Sequence, residues 1–390
     1  MKICILTGAY HPKVGGAETY ARTIAEGIKK IGHEVIVLTD GVGINEPMCE
    51  EIGGVKVVRA FKYADYLEDP TKVRWEQMYF GLLHELYNYI KNENIDVIHA
   101  NSLDTAILGS MISSSLHIPL VCTIHEQEPE KERFGTGKCD VVFSKIGVEK
   151  FITGSEFYFN KVLEFCKDIT RVERIYHGID LEKFSPVDNK KYREEMWIEE
   201  DEFLIVCVAR LKERKGLMEL IRSIRPVKDK ISNIKVIIAG SCNSASREYA
   251  DSLYKEIEKL DLGDTIRIDE TLTYSDMPRI YAAADLVVQP SYAEGLGLSV
   301  LEGLASGKAV VATNVTGIKE IISHYEDGIL VPSKQVEPLS ESILEVIKDA
   351  SLRKRLGENG RLLVETKFNY DRMIKETEKV YLDLLNSNKR

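Results

Sequence analysis

Two glutamates that stand eight residues apart are the most suggestive chemical feature of this sequence. Glu294 and Glu302 both lie in Ser291–Gly307, SYAEGLGLSVLEGLASG, which follows the apolar stretch Asp285–Val288. The apolar stretch predicts a buried strand, and a helix is expected to begin near Gly297. One carboxylate then lies in the loop and the other on the second helical turn, so both should face the same opening.

The glycines of this loop allow the backbone to approach a ligand closely. Gly295 and Gly297 carry no side chain that would keep a bound group away. The N–H groups at the expected helix start, those of Gly297, Leu298 and Ser299, suit an anion such as a diphosphate. The loop therefore predicts a site for a phosphorylated ligand beside the two carboxylates.

A pair of cations follows another predicted strand, Phe203–Ala209. In the segment VARLKERKG, Arg210 and Lys215 lie between the end of that strand and the start of the next helix. Two fixed cations at this place can neutralise the charge that develops on a leaving diphosphate. We expect the neighbouring Lys212 and Arg214 to be solvated instead.

The elements that must position these residues alternate along the whole chain between strands and helices. Repeated βα units of this kind predict parallel sheets with helices on both faces. The turn-rich segment Ile175–Pro186, IYHGIDLEKFSP, interrupts the alternation. We therefore predict an α/β fold of two doubly wound, Rossmann-like domains. Ligands bind such sheets at the carboxyl ends of the strands. The predicted strands are Lys2–Leu6, Glu34–Thr39, Val55–Val58, Asp96–His99, Leu120–Ile124, Phe203–Ala209, Lys235–Ala239, Thr265–Ile268, Asp285–Val288, Ala309–Ala312 and Gly328–Val331.

The acidic motif, Glu-x7-Glu after a strand, resembles that of the retaining glycosyltransferases of family 4, which have the GT-B fold. The resemblance implies that Glu294 contacts the transferred sugar and that Glu302 binds the ribose hydroxyls of a nucleotide. It also implies that Arg210 and Lys215 hold the donor phosphates.

The same resemblance sets the expected domain organisation. Residues 1–178 form the acceptor-side domain, and residues 179–370 form the domain that binds a nucleotide-sugar donor. The two domains should enclose an interdomain cleft, and the C-terminal helix, 371–390, should cross back and pack on the first domain. The linker HGID resembles the N-G-[VI]-D of the family, with His177 in place of the usual Asn.

Smaller motifs extend the resemblance. TGAYHPKVGGAE resembles the family's G-G-A-E turn, in which Gly16 and its neighbour let amides approach the donor phosphates. TIHE resembles the T-x-H element and implies that His125 lines the sugar site. We also place His99 and Glu126 on the acceptor side. Gly240, after the strand Lys235–Ala239, is expected beside the nucleotide.

An acidic run follows His125, with a glutamate at every second position. We expect a solvated loop, or alternatively a lid whose charge selects the acceptor. The members of the run are Glu126, Glu128, Glu130 and Glu132.

No metal or other cofactor is expected. Breaking a sugar–phosphate bond leaves an anion that a metal ion or fixed cations must stabilise. The sequence has no D-x-D motif and no metal-ligand spacing of His or Cys, so Arg210, Lys215 and a helix N-terminus are the predicted substitutes. Retention of configuration is implied by the resemblance. We favour a front-face route, in which the leaving phosphate helps to deprotonate the acceptor.

Composition limits the other partners. The 390 residues are 44% hydrophobic and 29% charged, which is typical of a globular protein, and the net charge of −10 argues against nucleic-acid binding. The seven cysteines form no C-x-x-C pair and are expected to be reduced. The first apolar run, ICIL, is too short for a signal peptide, and no run is long enough to span a membrane. We expect a cytoplasmic protein, with peripheral membrane contact only if the acceptor is lipid-linked.

Two other functions remain open. A nucleotide-sugar epimerase or hydrolase would use the same scaffold without needing an acceptor. A non-catalytic nucleotide-sugar binder is the alternative outside the enzymes, although the presence of both residue pairs argues against it. The donor base, the sugar and the acceptor, whether a glycan, a lipid-linked molecule or a small molecule, are not predicted.

Overall fold

The computed structural model describes residues 1–13, 15–40, 48–61, 75–125, 137–187, 190–242 and 244–387. The chain divides into two units. Unit 1 comprises Met1–Tyr176 together with Asp371–Arg390, and unit 2 comprises His177–Tyr370. The chain therefore returns to unit 1 after completing unit 2.

Unit 1 is built on an eight-stranded sheet with the order β3-β4-β2-β1-β5-β6-β7-β8. All neighbours are parallel except the edge pair β3–β4. The strands are β1 (Lys2–Leu6), β2 (Glu34–Asp40), β3 (Cys49–Ile52), β4 (Val55–Phe61), β5 (Val97–Ala100), β6 (Leu120–Ile124), β7 (Lys150–Thr153) and β8 (Val172–Arg174). The central strands are mostly apolar because helices pack against such sheets on both faces.

The helices of unit 1 follow its strands. They are α1 (Gly16–Lys30), α2 (Trp75–Ile90), α3 (Leu103–Leu116), α4 (Gly137–Asp140), which continues as a π-helix over Val141–Lys145, and α5 (Glu156–Cys166). The last helix of the chain, which runs from Tyr370 to Ser387, also belongs to this unit from Asp371 onward.

Unit 2 is built on a six-stranded, fully parallel sheet with the order β11-β10-β9-β12-β13-β14. Its strands are β9 (Phe203–Val208), β10 (Ile234–Ala239), β11 (Ile266–Asp269), β12 (Leu286–Gln289), β13 (Ala309–Thr313) and β14 (Ile329–Val331). Its helices are α6 (Lys190–Glu195), α7 (Leu217–Lys228), α8 (Arg247–Lys259), α9 (Met277–Ala283), α10 (Leu298–Ala305), α11 (Ile318–Ile321), α12 (Val336–Lys348) and α13 (Ala350–Lys367), and α14 (Tyr370–Ser387) follows.

Each unit has its own hydrophobic core, formed on its own sheet. In unit 2 the order of the strands reverses between β9 and β12, which pair directly, with Val206 beside Val287. The loops that follow these two strands are therefore neighbours, which is the usual place for a ligand in such a sheet. The predicted class, α/β with two doubly wound parallel sheets, is confirmed.

Three strands were not predicted from the sequence. The edge strand β3 (CEEI) alternates between exposed and half-exposed residues, so it has no buried apolar run. The others, β7 and β8, are short strands that contain or adjoin charged residues at the far edge of the sheet. Within the described residues, no helix is long and apolar enough to cross a membrane.

Candidate active site

The predicted cation and carboxylate meet in unit 2. Lys215 Nζ lies 2.5 Å from Glu294 Oε1, with side chains only 13% and 9% exposed. The Ser291 hydroxyl donates to the same oxygen at 2.7 Å. Gln289 Nε2 also donates to this oxygen, at 3.5 Å, so Glu294 Oε1 is held by three donors, while its second oxygen has no donor among the described residues. That second oxygen can therefore still accept a hydrogen bond.

Backbone contacts between the two neighbouring loops hold this ion pair in place. The N–H of Tyr292 donates to the carbonyl of Arg214 at 2.8 Å. Gly216, at φ +67°, lies so close to the other loop that an added Cβ would stand 1.9 Å from the carbonyl oxygen of Pro290. Only glycine fits this position, and it sets the residue before it, Lys215, against Glu294.

A buried polar network beneath Glu294 was not predicted from the sequence. Ser299 Oγ donates to Gln289 Oε1 at 2.9 Å, and Gln289 Nε2 donates to Ser291 Oγ at 2.8 Å. Since Ser291 in turn donates to Glu294, the network joins the first turn of α10 to the carboxylate. Gln289 is fully buried. The available signal was an amide at the end of an otherwise apolar strand, LVVQ.

Glu302 lies on α10, where the sequence predicted it, but in a dry environment. It is 6% exposed, and the Tyr281 hydroxyl donates to its Oε2 at 2.9 Å. Burial raises the pKa of the Glu302 carboxyl to about 7, although Tyr281 and the charge of Lys183 both act to lower it. A carboxylate so poorly solvated gains strongly from hydroxyl donors supplied by a ligand.

The remaining predicted residues of unit 2 line the same ends of the strands. Arg210 is exposed just beyond β9. Lys212 is half-buried, and burial, followed by the charges of Arg210 and Arg214, lowers its pKa. Lys212 remains partly exposed, as expected for a solvated turn, and it belongs to a mutually repelling cluster of cations. An anion bound at the cluster would relieve that repulsion.

The predicted glycines also fall at this edge of the sheet. Gly240 follows β10 and packs on the end of β9, so that an added Cβ would lie 2.1 Å from the carbonyl oxygen of Ala209. Gly297, at φ +101°, is the N-cap of α10, and Leu298 and Ser299 open that helix. Gly295 lies two residues before this cap.

In unit 1 the structure joins two of the predicted motifs through a residue that was not predicted. His125 Nε2 lies 2.9 Å from Asn101 Oδ1, and Asn101 Nδ2 donates to the carbonyl of Ala17 at 3.0 Å. Gly16 is the first residue of α1, immediately before Ala17. Because the amide oxygen of Asn101 can only accept, it holds a proton on Nε2 of the histidine.

The assignment of His99 to the acceptor side needs correction. This side chain is 1% exposed. Its Nδ1 is hydrogen-bonded to the Tyr381 hydroxyl at 2.6 Å and its Nε2 to the Thr123 hydroxyl at 2.7 Å. With both nitrogens engaged inside the protein, His99 has no atom left for an acceptor. Glu126 and the rest of the acidic run lie outside the described residues.

No three His, Cys, Asp or Glu side chains converge as a possible metal site in the part of the chain that the structure describes. The chemistry in unit 2 is that of an ion-paired carboxylate, a buried carboxylate and a basic cluster. This combination suits a ligand that carries hydroxyl groups at one end and phosphates at the other.

Comparison with known proteins identifies the family. The model described as Glycosyltransferase Family 4 matches residues 14–183, and the model described as Glycosyl transferases group 1 matches residues 188–363. An uncharacterized glycosyltransferase of Methanocaldococcus jannaschii, MJ1607, is 29% identical over 98% of both chains. The D-inositol 3-phosphate glycosyltransferase of Pseudarthrobacter chlorophenolicus is 26% identical over 88% of this chain and 84% of its own.

A solved structure shows the same fold. Anabaena HepE, in complex with UDP and glucose, superposes with a TM-score of 0.81 at 20% identity, covering 97% of this chain and 99% of its own. The predicted GT-B fold class is confirmed. Because the two family models together match most of the chain, and curated glycosyltransferases match over nearly the full length, this chain is a glycosyltransferase that belongs to group 1, family 4.

Proposed function

We propose that this glycosyltransferase takes its sugar from a nucleoside-diphosphate-sugar, transfers it with retention of configuration, and needs no metal ion. The observation that carries the proposal is the buried Lys215–Glu294 pair, at 2.5 Å, in the same unit as the buried Glu302. The pair supplies a fixed cation for a phosphate and a carboxylate for sugar hydroxyls, and Glu302 supplies an acceptor for ribose hydroxyls.

The nucleotide end of the donor binds around Glu302. Two vicinal ribose hydroxyls would add to the donor that Tyr281 already supplies to this buried carboxylate. HepE was solved with UDP-glucose as well as with UDP and glucose, which makes UDP-sugars the first donors to test here. Gly240, after β10, and Gly295, before α10, are proposed to lie beside the nucleotide.

The phosphates bind between the cations and the start of α10. Arg210 and Lys215 are proposed to neutralise the leaving diphosphate, and the N–H groups of Gly297, Leu298 and Ser299 are proposed to donate to the same anion. When a phosphate approaches, Lys215 shares its ammonium protons between the phosphate and Glu294. Gly16, at the start of α1, is proposed to offer further N–H groups to the phosphates.

Retention is proposed to follow a front-face route, because Glu294 is a poor candidate for a nucleophile. Its Oε1 is engaged by Lys215 and Ser291, which lowers its nucleophilicity. The leaving phosphate then takes the proton of the acceptor hydroxyl. Trapping a covalent glycosyl-enzyme adduct on this protein would overturn this route.

The acceptor is proposed to bind unit 1, where His125 would hydrogen-bond the transferred sugar or the acceptor. The name of one relative, a D-inositol 3-phosphate glycosyltransferase, makes small polyol phosphates worth including in an acceptor screen, beside glycans and lipid-linked sugars.

A cytoplasmic location is also proposed, supported by seven cysteines that are all thiols. The net charge of −10 argues against nucleic acid as a partner.

The test has two stages. A thermal-shift screen against UDP-, GDP- and ADP-sugars should show stabilisation by one nucleotide class, because a ligand that binds only the folded state raises the midpoint. With that donor, release of the nucleoside diphosphate should depend on an added acceptor. Release at the same rate without any acceptor would favour a hydrolase instead, and failure of every nucleotide-sugar to bind would overturn the proposal.

A further inference from the structure

A chain of buried hydroxyl and imidazole groups crosses unit 1 from its C-terminal helix. It begins at Tyr381 on α14, whose hydroxyl lies 2.6 Å from His99 Nδ1. His99 Nε2 lies 2.7 Å from Thr123 Oγ1, and Thr123 Oγ1 lies 3.3 Å from the Tyr20 hydroxyl. None of the four side chains has appreciable contact with solvent, since the most exposed, Tyr20, is 3% exposed.

This buried chain ends against His125. The Tyr20 ring packs edge-on against the His125 imidazole, with ring centroids 4.6 Å apart and planes at 63°. Thr123 lies two residues before His125 at the end of β6. The backbone on the other side is fixed as well, because the Tyr158 hydroxyl donates to the carbonyl of His125 at 2.7 Å.

The hydrogen bonds of this chain depend on one another. A neutral imidazole donates from one nitrogen and accepts at the other, so the bonds on the two sides of His99 must run in the same direction. Burial lowers the pKa of His99 to about 3 and raises the pKa of Tyr20 to about 12. The groups therefore stay neutral around pH 7, and loss of one hydroxyl leaves a buried neighbour unsatisfied.

We propose that this buried chain positions His125, and that Tyr381, delivered by the helix that returns from unit 2, is a positioning residue for transfer. The helix α14 then contributes to the geometry of the reaction as well as to the stability of unit 1. This inference rests on the proposed function in one respect, namely that His125 contacts the transferred sugar or the acceptor.

The same helix offers a matched control. Glu378, three residues before Tyr381, has its Oε1 2.7 Å from His33 Nε2. This contact also joins α14 to unit 1. His33 precedes β2, however, so the contact lies at the amino edge of the parallel sheet, away from the carboxyl edge where His125 lies. Tyr381→Phe removes one polar contact of α14, whereas Glu378→Gln reduces another to a neutral hydrogen bond, and only the first touches the buried chain.

The first measurement needs no substrate. In protein labelled on the histidine rings, the eight imidazoles are followed by NMR across pH, with His125 assigned from His125→Asn. We expect Tyr381→Phe to move the His125 resonances and their titration midpoint, while Glu378→Gln leaves them in place. Unchanged His125 signals in Tyr381→Phe, or equal changes in both variants, would overturn the proposal even if no nucleotide-sugar proved to be a donor.

The second measurement is kinetic, on the full chain with the donor and acceptor found above. Tyr381→Phe should lower kcat by about 10- to 100-fold, the scale of a small misplacement of a reacting group, with little change in KM for the donor. Thr123→Val should do the same, and Thr123→Ser, which keeps the hydroxyl, should retain most of the activity. Equal kcat in Tyr381→Phe and Glu378→Gln would refute the positioning role.

Discussion

Replacing Glu302 by glutamine should make the folded protein more stable at alkaline pH and at the same time weaken binding of the donor. The wild-type carboxyl is forced into a dry environment, where burial raises its pKa from 4.5 to about 7. At about 1.4 kcal/mol per pKa unit, this corresponds to about 3 kcal/mol. Between these two pH values the folded protein keeps a proton that the unfolded chain has released. Stability therefore falls as pH rises through this window.

Glutamine has the shape of the protonated side chain and never acquires the charge. Relative to wild type, Glu302→Gln should therefore gain about 3 kcal/mol in the free energy of unfolding between pH 5 and pH 8. Urea denaturation of both proteins at several pH values measures this difference. Glu341→Gln, at an exposed position on α12, controls for the loss of one negative charge. A difference between Glu302→Gln and wild type that does not change with pH would refute the reasoning.

The same substitution tests the role of Glu302 in binding. A hydrogen bond from a ribose hydroxyl to a carboxylate is worth about 1.5–3 kcal/mol, so Kd for the donor should rise by roughly 10- to 100-fold at pH 8. In the wild type, donor affinity should weaken as pH falls below about 7 and the carboxyl becomes protonated. Calorimetric titration measures both. If Glu302→Gln bound the donor with the same Kd as the wild type, the proposed role of this carboxylate in donor binding would be wrong.

Three further outcomes are expected. Lys215→Met leaves Glu294 buried without its cation and should lower the free energy of unfolding by about 3–5 kcal/mol. Adding Glu294→Gln should restore stability but not activity. A double variant that is both stable and active would exclude this pair from the reaction. Gly216→Ala should destabilise unit 2 by about 2 kcal/mol or more in thermal denaturation, because the φ of Gly216 is +67° and an added Cβ would meet Pro290. The control is Gly263→Ala, which should be tolerated because an added Cβ there meets nothing within 4 Å. Treatment with EDTA should leave nucleotide release unchanged, and loss of turnover that Mg²⁺ or Mn²⁺ restores would contradict metal independence.

Patterns local in sequence predicted most of the fold. Apolar runs such as those at β1, β6 and β12 predict buried strands because a parallel sheet covered on both faces leaves them no polar side. The edge strand β3 was not predicted in this way, because a strand at the edge of a sheet needs no run of buried apolar residues. The same locality explains the site: Glu294, Glu302 and Lys215 follow predicted strands and lie at their carboxyl ends in the structure.

What the sequence could not predict are the contacts between distant segments. Residue spacing could not distinguish His99, enclosed by Tyr381 and Thr123, from His125, which is only half-buried, because both histidines lie at or just beyond the ends of strands. Likewise the sequence assigned no role to Gln289, which follows the predicted strand Asp285–Val288; its hydrogen bonds to Ser291 and Ser299 appear only in the folded structure.

The sequence by itself therefore determined the class of fold, the places where each sheet could bind a ligand, and the family. These depend on periodicity and on motifs a few residues long. Only the tertiary structure decided which polar groups are buried, which pairs lie within hydrogen-bonding distance, and how strongly burial perturbs the Glu302 carboxyl. Burial and hydrogen bonding depend on segments that are far apart in the chain, and their positions are set when the whole sheet and its helices pack together.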